Sequence, residues 1–364
     1  MEITKHIIIF STNTSMNGVI DKYYMMSCNS SEIHYVIYVR NNKIINQTEN
    51  EFFTIIRYAF KIPIFRYYSI LKHLNKNHAN IIRYAGSDLS LLFLVPIKSD
   101  IFWELHTNYP VELTSRRFGK YFTRLMEFSI GKFVLKSAKG IISTSNSIYQ
   151  VNKDYYKFEC DYHVLLNSFI SSSSTISYVT NRRIIKEEYI LIMASSFKFW
   201  HDLDRLAEVV ARLDIKLLVI GNTDQNRMDE NIIYYGYVSN PIELNNLISN
   251  SLLCVDSIGF DKLNLKETSS LKLFKYLEHG GRVVVFKNLP FKDSFLVPNF
   301  IIQLNCLDDI TDLLKNVSPL TLIEQTEVKE HLKSKYSLDR LLLNEAKFIL
   351  NENNRKKQFN FEAH

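Results

Sequence analysis

The sequence has few cysteines, glycines and prolines. Its cysteine spacing argues against a zinc protein, and its lack of a glycine-rich loop argues against a dinucleotide-binding enzyme. Its 364 residues include four cysteines, ten glycines and seven prolines. Without C-x-x-C spacing, the scattered cysteines argue against a zinc site and for reduced thiols in a cytoplasmic protein. The polar loop after the first predicted strand, residues 11–15, lacks G-x-G-x-x-G, which disfavours a nicotinamide-dependent oxidoreductase.

Long apolar runs and basic stripes are absent as well. No run approaches the roughly 20 residues that a membrane-spanning helix needs. The apolar run Ile7–Phe10 is too short for the apolar region of a signal peptide, and it enters a strand pattern. Without a basic stripe or a nucleic-acid-binding motif, nucleic acid is not an expected partner.

What the chain does contain fits a two-domain α/β protein. Its hydrophobic content of 46% is enough for two cores of ordinary size. A net charge of +6 favours an acidic ligand or an anionic membrane surface. Short apolar runs alternate with helical patterns, as in doubly wound parallel sheets. The predicted strands are His6–Phe10, Ile33–Val39, Ile101–His106, Gly140–Ser145, Tyr189–Met193, Leu217–Ile220, Ile232–Tyr237, Leu252–Ser257, Val283–Val285 and Ile301–Ile302.

The most informative stretch begins near Lys266 and predicts an anion site at a helix start. Ser269 and Ser270 precede an amphipathic helix that ends at the pair Gly280–Gly281, and Val283–Val285 then reads as a buried strand. Serine hydroxyls and free N–H groups at a helix start, with Lys272 one turn in, suit a phosphate.

A second candidate lies at the end of the strand Ile101–His106. Glu104 and His106 are two residues apart, so they project to the same side of an extended segment. A histidine there can donate a hydrogen bond to a sugar hydroxyl or a phosphate, and a carboxylate can accept one. The alternative is a structural histidine with a satisfied partner.

The strand Tyr189–Met193 opens a second βα unit. The loop after it carries Ser195, Ser196 and Lys198, which could hold a diphosphate without a metal. Trp200 and Arg205 follow. Direct contact with the ligand and a structural role, by packing and a salt bridge, explain these two residues equally well.

The segment Phe52–Lys76 interleaves aromatic and basic residues. Such a segment can rest on an anionic bilayer through an amphipathic surface. The alternative interpretation places its aromatic residues in the core and its bases on a solvated face, and periodicity does not separate the two.

These stretches resemble the retaining glycosyltransferases of the GT-B fold, of the family-4 type that builds bacterial surface polysaccharides. The family signature reads E-x-S-x-L-K-x-x-E-Y-x-x-x-G-x-P-V-V. The residues in register with it are Glu267, Ser269, Leu271, Lys272, Tyr276, Val283 and Val284. Two positions depart, because Lys275 replaces the second Glu and Arg282 replaces Pro. The missing Glu resembles a clamp on the ribose hydroxyls of the donor.

Three further segments resemble motifs of the same family. The segment with Glu104, His106 and Tyr109 is similar to E-x-H/P-T-x-Y-P, which faces the active cleft. The segment Phe197–Arg205 is similar to f-x-F-W-H-G-x-D-R, with Asp202 in place of Gly. The segment around Gly236 is similar to V-x-f-x-G-x-V, whose backbone pairs with the donor base.

The resemblance implies a GT-B architecture of two Rossmann-like domains that face a cleft. The expected acceptor domain is residues 1–175 and the donor domain 176–335, with a linker at 171–183. A helix at 336–352 is expected to cross back to the first domain, and 353–364 to form a tail.

The implied activity is transfer of a hexose-like sugar from a UDP- or GDP-sugar, with retention and without a metal or another cofactor. The expected acceptor is a saccharide or a polyprenyl-diphosphate-linked saccharide, in O-antigen, capsule or related assembly. The implied catalytic residues are His106 and Glu267. Donor-binding residues are Ser195, Ser196, Lys198, Arg205, Gly236, Ser269, Ser270, Leu271, Lys272 and Lys275. Acceptor-binding residues are Asn13, Glu104 and Tyr109.

Two other interpretations of the resemblance stay open. Lys275 fits a non-catalytic GT-B partner subunit, and a sugar-nucleotide epimerase shares the fold and the donor. The expected location is the cytoplasm, with the inner face of the plasma membrane as a candidate surface for peripheral contact.

Overall fold

A computed structural model shows two parallel sheets in the described part of the chain. The structure describes residues 3–9, 17–29, 32–45, 47–59, 63–74, 79–95, 100–114, 120–166, 185, 187–194, 201–213, 215–221, 230–238, 240–267, 270–286 and 288–361. One compact unit comprises Met1–Leu166 with Leu338–His364, and the other comprises Asn167–Ser337. The predicted linker, 171–183, lies outside the described residues.

The first unit alternates strands with helices. Its elements are β1 (Ile3–Ile9), α1 (Asn17–Asn29), β2 (Ile33–Arg40), β3 (Phe53–Tyr58), α2 (Tyr68–Leu71), β4 (Ala79–Arg83), β5 (Ile101–Leu105), α3 (Tyr109–Thr114), α4 (Lys120–Met126), α5 (Lys132–Lys136), β6 (Gly140–Ser143), α6 (Asn146–Tyr156) and β7 (Tyr162–Val164). Two 3-10 turns, Pro63–Phe65 and Leu89–Phe93, and a π-helical turn, Glu127–Gly131, complete the described part.

The strand order of the first sheet is β3-β2-β1-β4-β5-β6-β7, and its described strand pairs are parallel. All seven residues of β1 are buried, as expected for a strand covered on both faces. The order reverses between β1 and β4. Ligands of doubly wound sheets bind at the carboxyl ends of the strands beside such a switch point.

The second unit repeats this plan. Its elements are β8 (Tyr189–Ala194), α7 (Leu203–Val210), β9 (Lys216–Gly221), β10 (Ile232–Gly236), α8 (Pro241–Ser249), β11 (Leu253–Val255), α9 (Leu271–Glu278), β12 (Val283–Val285), β13 (Ile301–Gln303), α10 (Asp309–Leu314) and α11 (Leu322–Lys335). The described strands are ordered β10-β9-β8-β11-β12-β13 and pair in parallel, with the switch point between β8 and β11. Aliphatic side chains of β8, β9 and β11 pack with those of α7 and α10 in one core.

The last helix, α12 (Leu338–Phe361), is part of the first unit. It packs against α1, and its Phe348 ring lies 6.1 Å from the Phe102 ring of β5. The helix continues to Phe361. The sequence predicts that it ends at residue 352 and that a tail follows.

The predicted fold class of two Rossmann-like domains is confirmed. The segment Phe52–Lys76 is described at residues 52–59 and 63–74. It begins with β3, the edge strand beside β2, and continues in short helical turns. Phe53, Tyr58 and Tyr67 are buried, so these aromatic residues are core. Phe65 is exposed.

Gly221 at the end of β9 illustrates why the scarce glycines matter here. Its φ is 134°, and a Cβ would lie 1.7 Å from the Ala194 carbonyl oxygen of the neighbouring strand β8. Because no side chain fits, only glycine allows β8 and β9 to end side by side at this edge.

Candidate functional site

The carboxyl end of β11 meets the start of α9 at the switch point of the second unit. Asp256 and Ser257 follow β11 directly and are buried. Ser270 is the N-cap of α9, because its Oγ accepts a hydrogen bond from the Leu273 N–H at 3.2 Å. The fold therefore brings the polar residues after β11 and those at the start of α9 together at one strand end.

Four side chains form a connected group here, which we call the Asp256–Lys272 cluster: Asp256, Ser257, Ser270 and Lys272. Asp256 Oδ1 accepts from the Ser270 hydroxyl at 2.7 Å and from the Ser257 backbone N–H at 2.8 Å. Lys272 Nζ donates to Ser257 Oγ at 2.9 Å and lies 3.5 Å from Asp256 Oδ1. These contacts hold the ammonium group beside the N-terminus of α9.

The electrostatics of the Asp256–Lys272 cluster suit an added anion. Burial lowers the pKa of Lys272, and the Asp256 carboxylate acts in the opposite direction. The side chain of Lys272 keeps 14% of its surface exposed, so the ammonium group is not sealed off. A phosphate at this point would gain a charge-assisted hydrogen bond from Lys272 and the partial positive charge of the helix start.

The other predicted residues of this stretch have varied environments. Glu267 is half-buried and forms a parallel β-bridge with Asn288. Lys275 Nζ pairs with Glu278 Oε2 at 3.2 Å within α9, and Leu271 is exposed at the first position of that helix. Ser269 lies outside the described residues.

Two other predicted donor residues lie in the described part of the second unit, on β10 and α7. Gly236 ends β10 at an irregularity of the strand, with φ of 83° and open space where a Cβ would stand. Arg205 is exposed on α7. Ser195, Ser196 and Lys198 lie outside the described residues.

Asp202 shows why the resembled motif carries glycine at its position. Its backbone is left-handed, with φ of 50° and ψ of 44°, a conformation that glycine adopts without strain. The Asp202 carboxylate pairs with Lys262 Nζ at 2.9 Å. An aspartate is among the side chains that tolerate this conformation best.

In the first unit the structure brings Glu104 and His106 together. His106 Nε2 lies 3.1 Å from Glu104 Oε2, without the alignment of a hydrogen bond. Burial lowers the pKa of His106 to about 4, although Glu104 opposes the shift. The imidazole is therefore neutral at pH 7.

Glu104 is also part of a buried ionic group that the sequence did not reveal. Its Oε1 accepts from Lys5 Nζ at 2.7 Å, and its Oε2 accepts from the Tyr23 hydroxyl at 3.0 Å. Lys5 Nζ also donates to Glu345 Oε1 of α12 at 2.9 Å. Burial would raise the pKa of Glu104, but Lys5 and His106 hold it well below its usual value.

Tyr109 fixes the chain that leaves β5. Its buried hydroxyl donates to the Tyr84 carbonyl at 2.7 Å and lies 3.4 Å from the His106 backbone nitrogen. This arrangement ties the ends of β4 and β5 to each other and positions His106. Asn13 lies outside the described residues.

The depressed pKa of His106 gives a prediction that can be measured directly. In a ¹³C-histidine NMR titration, the ring signal that disappears in His106→Gln should titrate near pH 4, because burial disfavours the imidazolium. The unfolded chain takes up this proton near pH 6.5. Stability should therefore fall as the pH drops from about 6.5 toward 4, by up to about 3 kcal/mol from this residue. Titration of the signal near pH 6.5 would contradict the buried environment.

Sequence reasoning missed Asp256 and Ser257 as the anchors of Lys272. A signal was present, since a polar pair directly follows a short buried strand, the place where ligand loops begin in such sheets. Lys5 gave a weaker signal, because it stands between Thr4 and His6 just before the apolar run of the first strand.

Two further structural findings concern the described residues only. No group of three or more His, Cys, Asp or Glu side chains among them could hold a metal ion. None of their helices combines the length and the apolar character that crossing a bilayer requires.

Two Rossmann-like units of this topology define the GT-B class, and comparison with solved structures supports that assignment. Sucrose-phosphate synthase from Thermosynechococcus elongatus has a TM-score of 0.62 at 12% identity over 100% of both chains. The lipopolysaccharide outer core galactosyltransferase WaaB has 0.56 at 15%, covering 96% of this chain and 99% of that one. Anabaena Alr3699/HepE, solved with UDP and glucose, has 0.61 at 8%, with coverage of 96% and 99%. No protein-family model and no curated protein matches the sequence. The chain has the GT-B fold.

Proposed function

We propose that this protein is a retaining glycosyltransferase of the family-4 type. It would move a sugar from a nucleotide-diphosphate sugar, with UDP or GDP as the nucleotide, to a saccharide or a polyprenyl-diphosphate-linked saccharide. The observation that carries the proposal is the Asp256–Lys272 cluster, which holds a lysine ammonium at a helix start on the switch point of the second sheet. The solved structure with UDP and glucose shows that a protein of this fold binds such a nucleotide and sugar.

In the proposed reaction the bond between the sugar C1 and the diphosphate oxygen breaks, and the acceptor hydroxyl oxygen bonds to C1 on the same face. The acceptor proton passes to the departing phosphate. Negative charge grows on the diphosphate as the bond breaks. Lys272 and the N-terminal amides of α9 would stabilise that charge, which is a preorganised electrostatic contribution. This contribution requires no metal ion.

His106 and Glu267 have distinct roles in this proposal. The neutral His106 imidazole would donate a hydrogen bond to the sugar beside the reacting carbon. Glu267 would accept hydrogen bonds from the sugar hydroxyls. Gly236 would bring the backbone of β10 to the nucleotide base, since its open Cβ position leaves room for a close approach.

The proposed setting is O-antigen, capsule or related polysaccharide assembly at the cytoplasmic face of the membrane. A lipid-linked acceptor has its lipid in the bilayer, so the enzyme would bind the membrane surface peripherally. The net charge of +6 supports attraction to anionic headgroups.

A donor panel tests the proposal. Thermal shift with UDP-, GDP-, dTDP- and CMP-sugars should show a rise in Tm with one diphosphate sugar, because a ligand that binds only the folded state stabilises it. Glu267→Ala should keep that shift and transfer sugar about 10- to 100-fold more slowly, as expected for a lost charged hydrogen bond. Unchanged turnover would remove Glu267 from the mechanism. Donor binding without release of free nucleotide in the presence of any acceptor would instead identify a partner subunit.

A further inference from the structure

The helical stretch 120–136 is apolar on two opposite sides. Met126, Ile130 and Val134 face the core and are buried. Tyr121, Leu125 and Phe128 lie at i, i+4 and i+7, and they are exposed by 78%, 62% and 57%. The solvent-facing side of a surface helix is normally polar. The solvent-facing side of this helix is therefore suited to an apolar partner.

A neighbouring element adds further exposed apolar residues near this side. The 3-10 turn Leu89–Phe93 packs against the π-helical turn Glu127–Gly131. We use the name aromatic face for the exposed residues of these elements: Leu89, Leu92, Phe93, Tyr121, Phe122, Leu125, Phe128 and Phe133. Isolated exposed apolar residues are ordinary, but eight of them on elements that pack against one another indicate an interaction surface.

The exposed charged residues within residues 120–136 are all basic. Within residues 120–136 the sequence has four bases and one acid. The acid, Glu127, is buried, and its carboxylate accepts from the hydroxyls of Tyr84 and Tyr156. The bases Arg124 and Lys136 are exposed. Lys132 lies over the Phe128 ring, with Nζ 5.4 Å from its centroid, so its stem covers the aromatic surface.

We infer that the aromatic face docks on an anionic lipid bilayer. Aromatic and leucine side chains would enter the boundary between headgroups and acyl chains, while Arg124, Lys132 and Lys136 would reach the lipid phosphates. This combination of apolar and basic residues is typical of helices that lie in the membrane interface. The inference rests on the proposed function for its lipid-linked acceptor, and it assigns the membrane contact to residues 89–93 and 120–136 instead of 52–76.

The charges favour a membrane over a second copy of this chain. A symmetric dimer through the aromatic face would bring the basic residues of both copies into one interface, because such an interface uses the same surface twice. Like charges at an interface weaken association. An anionic bilayer instead pairs each base with a phosphate.

Vesicle co-sedimentation of the full chain tests the inference. We expect binding to vesicles with 40% phosphatidylglycerol, about tenfold weaker binding to pure phosphatidylcholine vesicles, and weakening by salt. The variant Phe122→Ser/Leu125→Ser and the variant Arg124→Glu/Lys136→Glu should each lose about tenfold or more of the binding to anionic vesicles.

Matched controls are available on α11 and α12. Leu322→Ser/Ile323→Ser removes two exposed apolar side chains, and Lys333→Glu/Arg340→Glu reverses two exposed charges. Both controls should bind vesicles like the unmodified protein. Equal losses in the controls, or no loss in the aromatic-face variants, would overturn the inference.

Two other measurements separate the outcomes. If light scattering shows a dimer that Phe122→Ser/Leu125→Ser converts to a monomer, the aromatic face belongs to a second copy and the inference is wrong. The donor-induced rise in Tm should be the same in all four variants. Failure of the proposed function would appear as no rise in Tm in any protein, whereas failure of this inference would appear as unchanged vesicle binding.

Discussion

Lys272→Ala is expected to weaken binding of the nucleotide-sugar donor about 10- to 100-fold, because a charge-assisted hydrogen bond contributes about 1.5–3 kcal/mol. The thermal shift that the donor produces should be lost at concentrations that saturate the unmodified protein. Isothermal titration calorimetry with the diphosphate sugar selected from the panel measures the change in Kd. The Tm of Lys272→Ala without ligand must be measured as well, because this variant also loses the hydrogen bond from Lys272 to Ser257, which affects stability.

Lys275→Ala is the matched control for Lys272→Ala. It removes the same charge from the same helix, one turn further on, but in the structure Lys275 pairs with Glu278. We expect at most a fewfold change in Kd, because a charge already paired within the helix contributes little at a distance. Equal losses in the two variants would mean that the net charge of α9, and not the placement of Lys272, governs donor binding.

Lys5→Met should lower the free energy of unfolding of the first unit by about 3–5 kcal/mol, the usual cost of removing one partner from a buried ionic group. It leaves the carboxyl groups of Glu104 and Glu345 buried without their common cation. Burial would lower the pKa of Lys5, but these two carboxylates raise it well above its usual value. The loss is large beside the roughly 5–15 kcal/mol that stabilises most domains.

Urea unfolding followed by the fluorescence of Trp103 measures this change in the first unit. The sequence has two tryptophans, so the background variant Trp200→Phe leaves Trp103, buried in β5, as the single reporter. Lys153→Met is the control, because Lys153 lies 3.8 Å from Glu159 in an exposed pair that should contribute at most about 1 kcal/mol. Equal stabilities of Lys5→Met and Lys153→Met would show that the buried ionic group does not stabilise the unit.

Much of the fold could be predicted from the sequence because its signals are local. The run Val283–Val285 is apolar and β-branched, and it forms the buried strand β12. Ser270 before an amphipathic pattern predicted the start of α9, and the structure shows its capping hydrogen bond. The edge strand β3 was not predicted, because its central residues are half-buried or exposed and include Thr54 and Arg57, so its pattern is less regular than that of a central strand.

Contacts between side chains could be predicted only where the residues are close in sequence. Glu104 and His106 are two residues apart, and strand geometry alone places them on one side. Asp256 reaches Ser270 across 14 residues, and Lys5 reaches Glu345 across 340. Such contacts depend on which strands become neighbours, and a single sequence gives no local pattern for that choice.

The central claim is that the Asp256–Lys272 cluster receives the diphosphate of the donor. A crystal structure of the full chain with the bound nucleoside diphosphate tests it most directly. The account predicts phosphate oxygens within hydrogen-bonding distance of Lys272 Nζ and of the first amides of α9. A nucleotide bound in the second unit away from Lys272, or bound in the first unit, would contradict it.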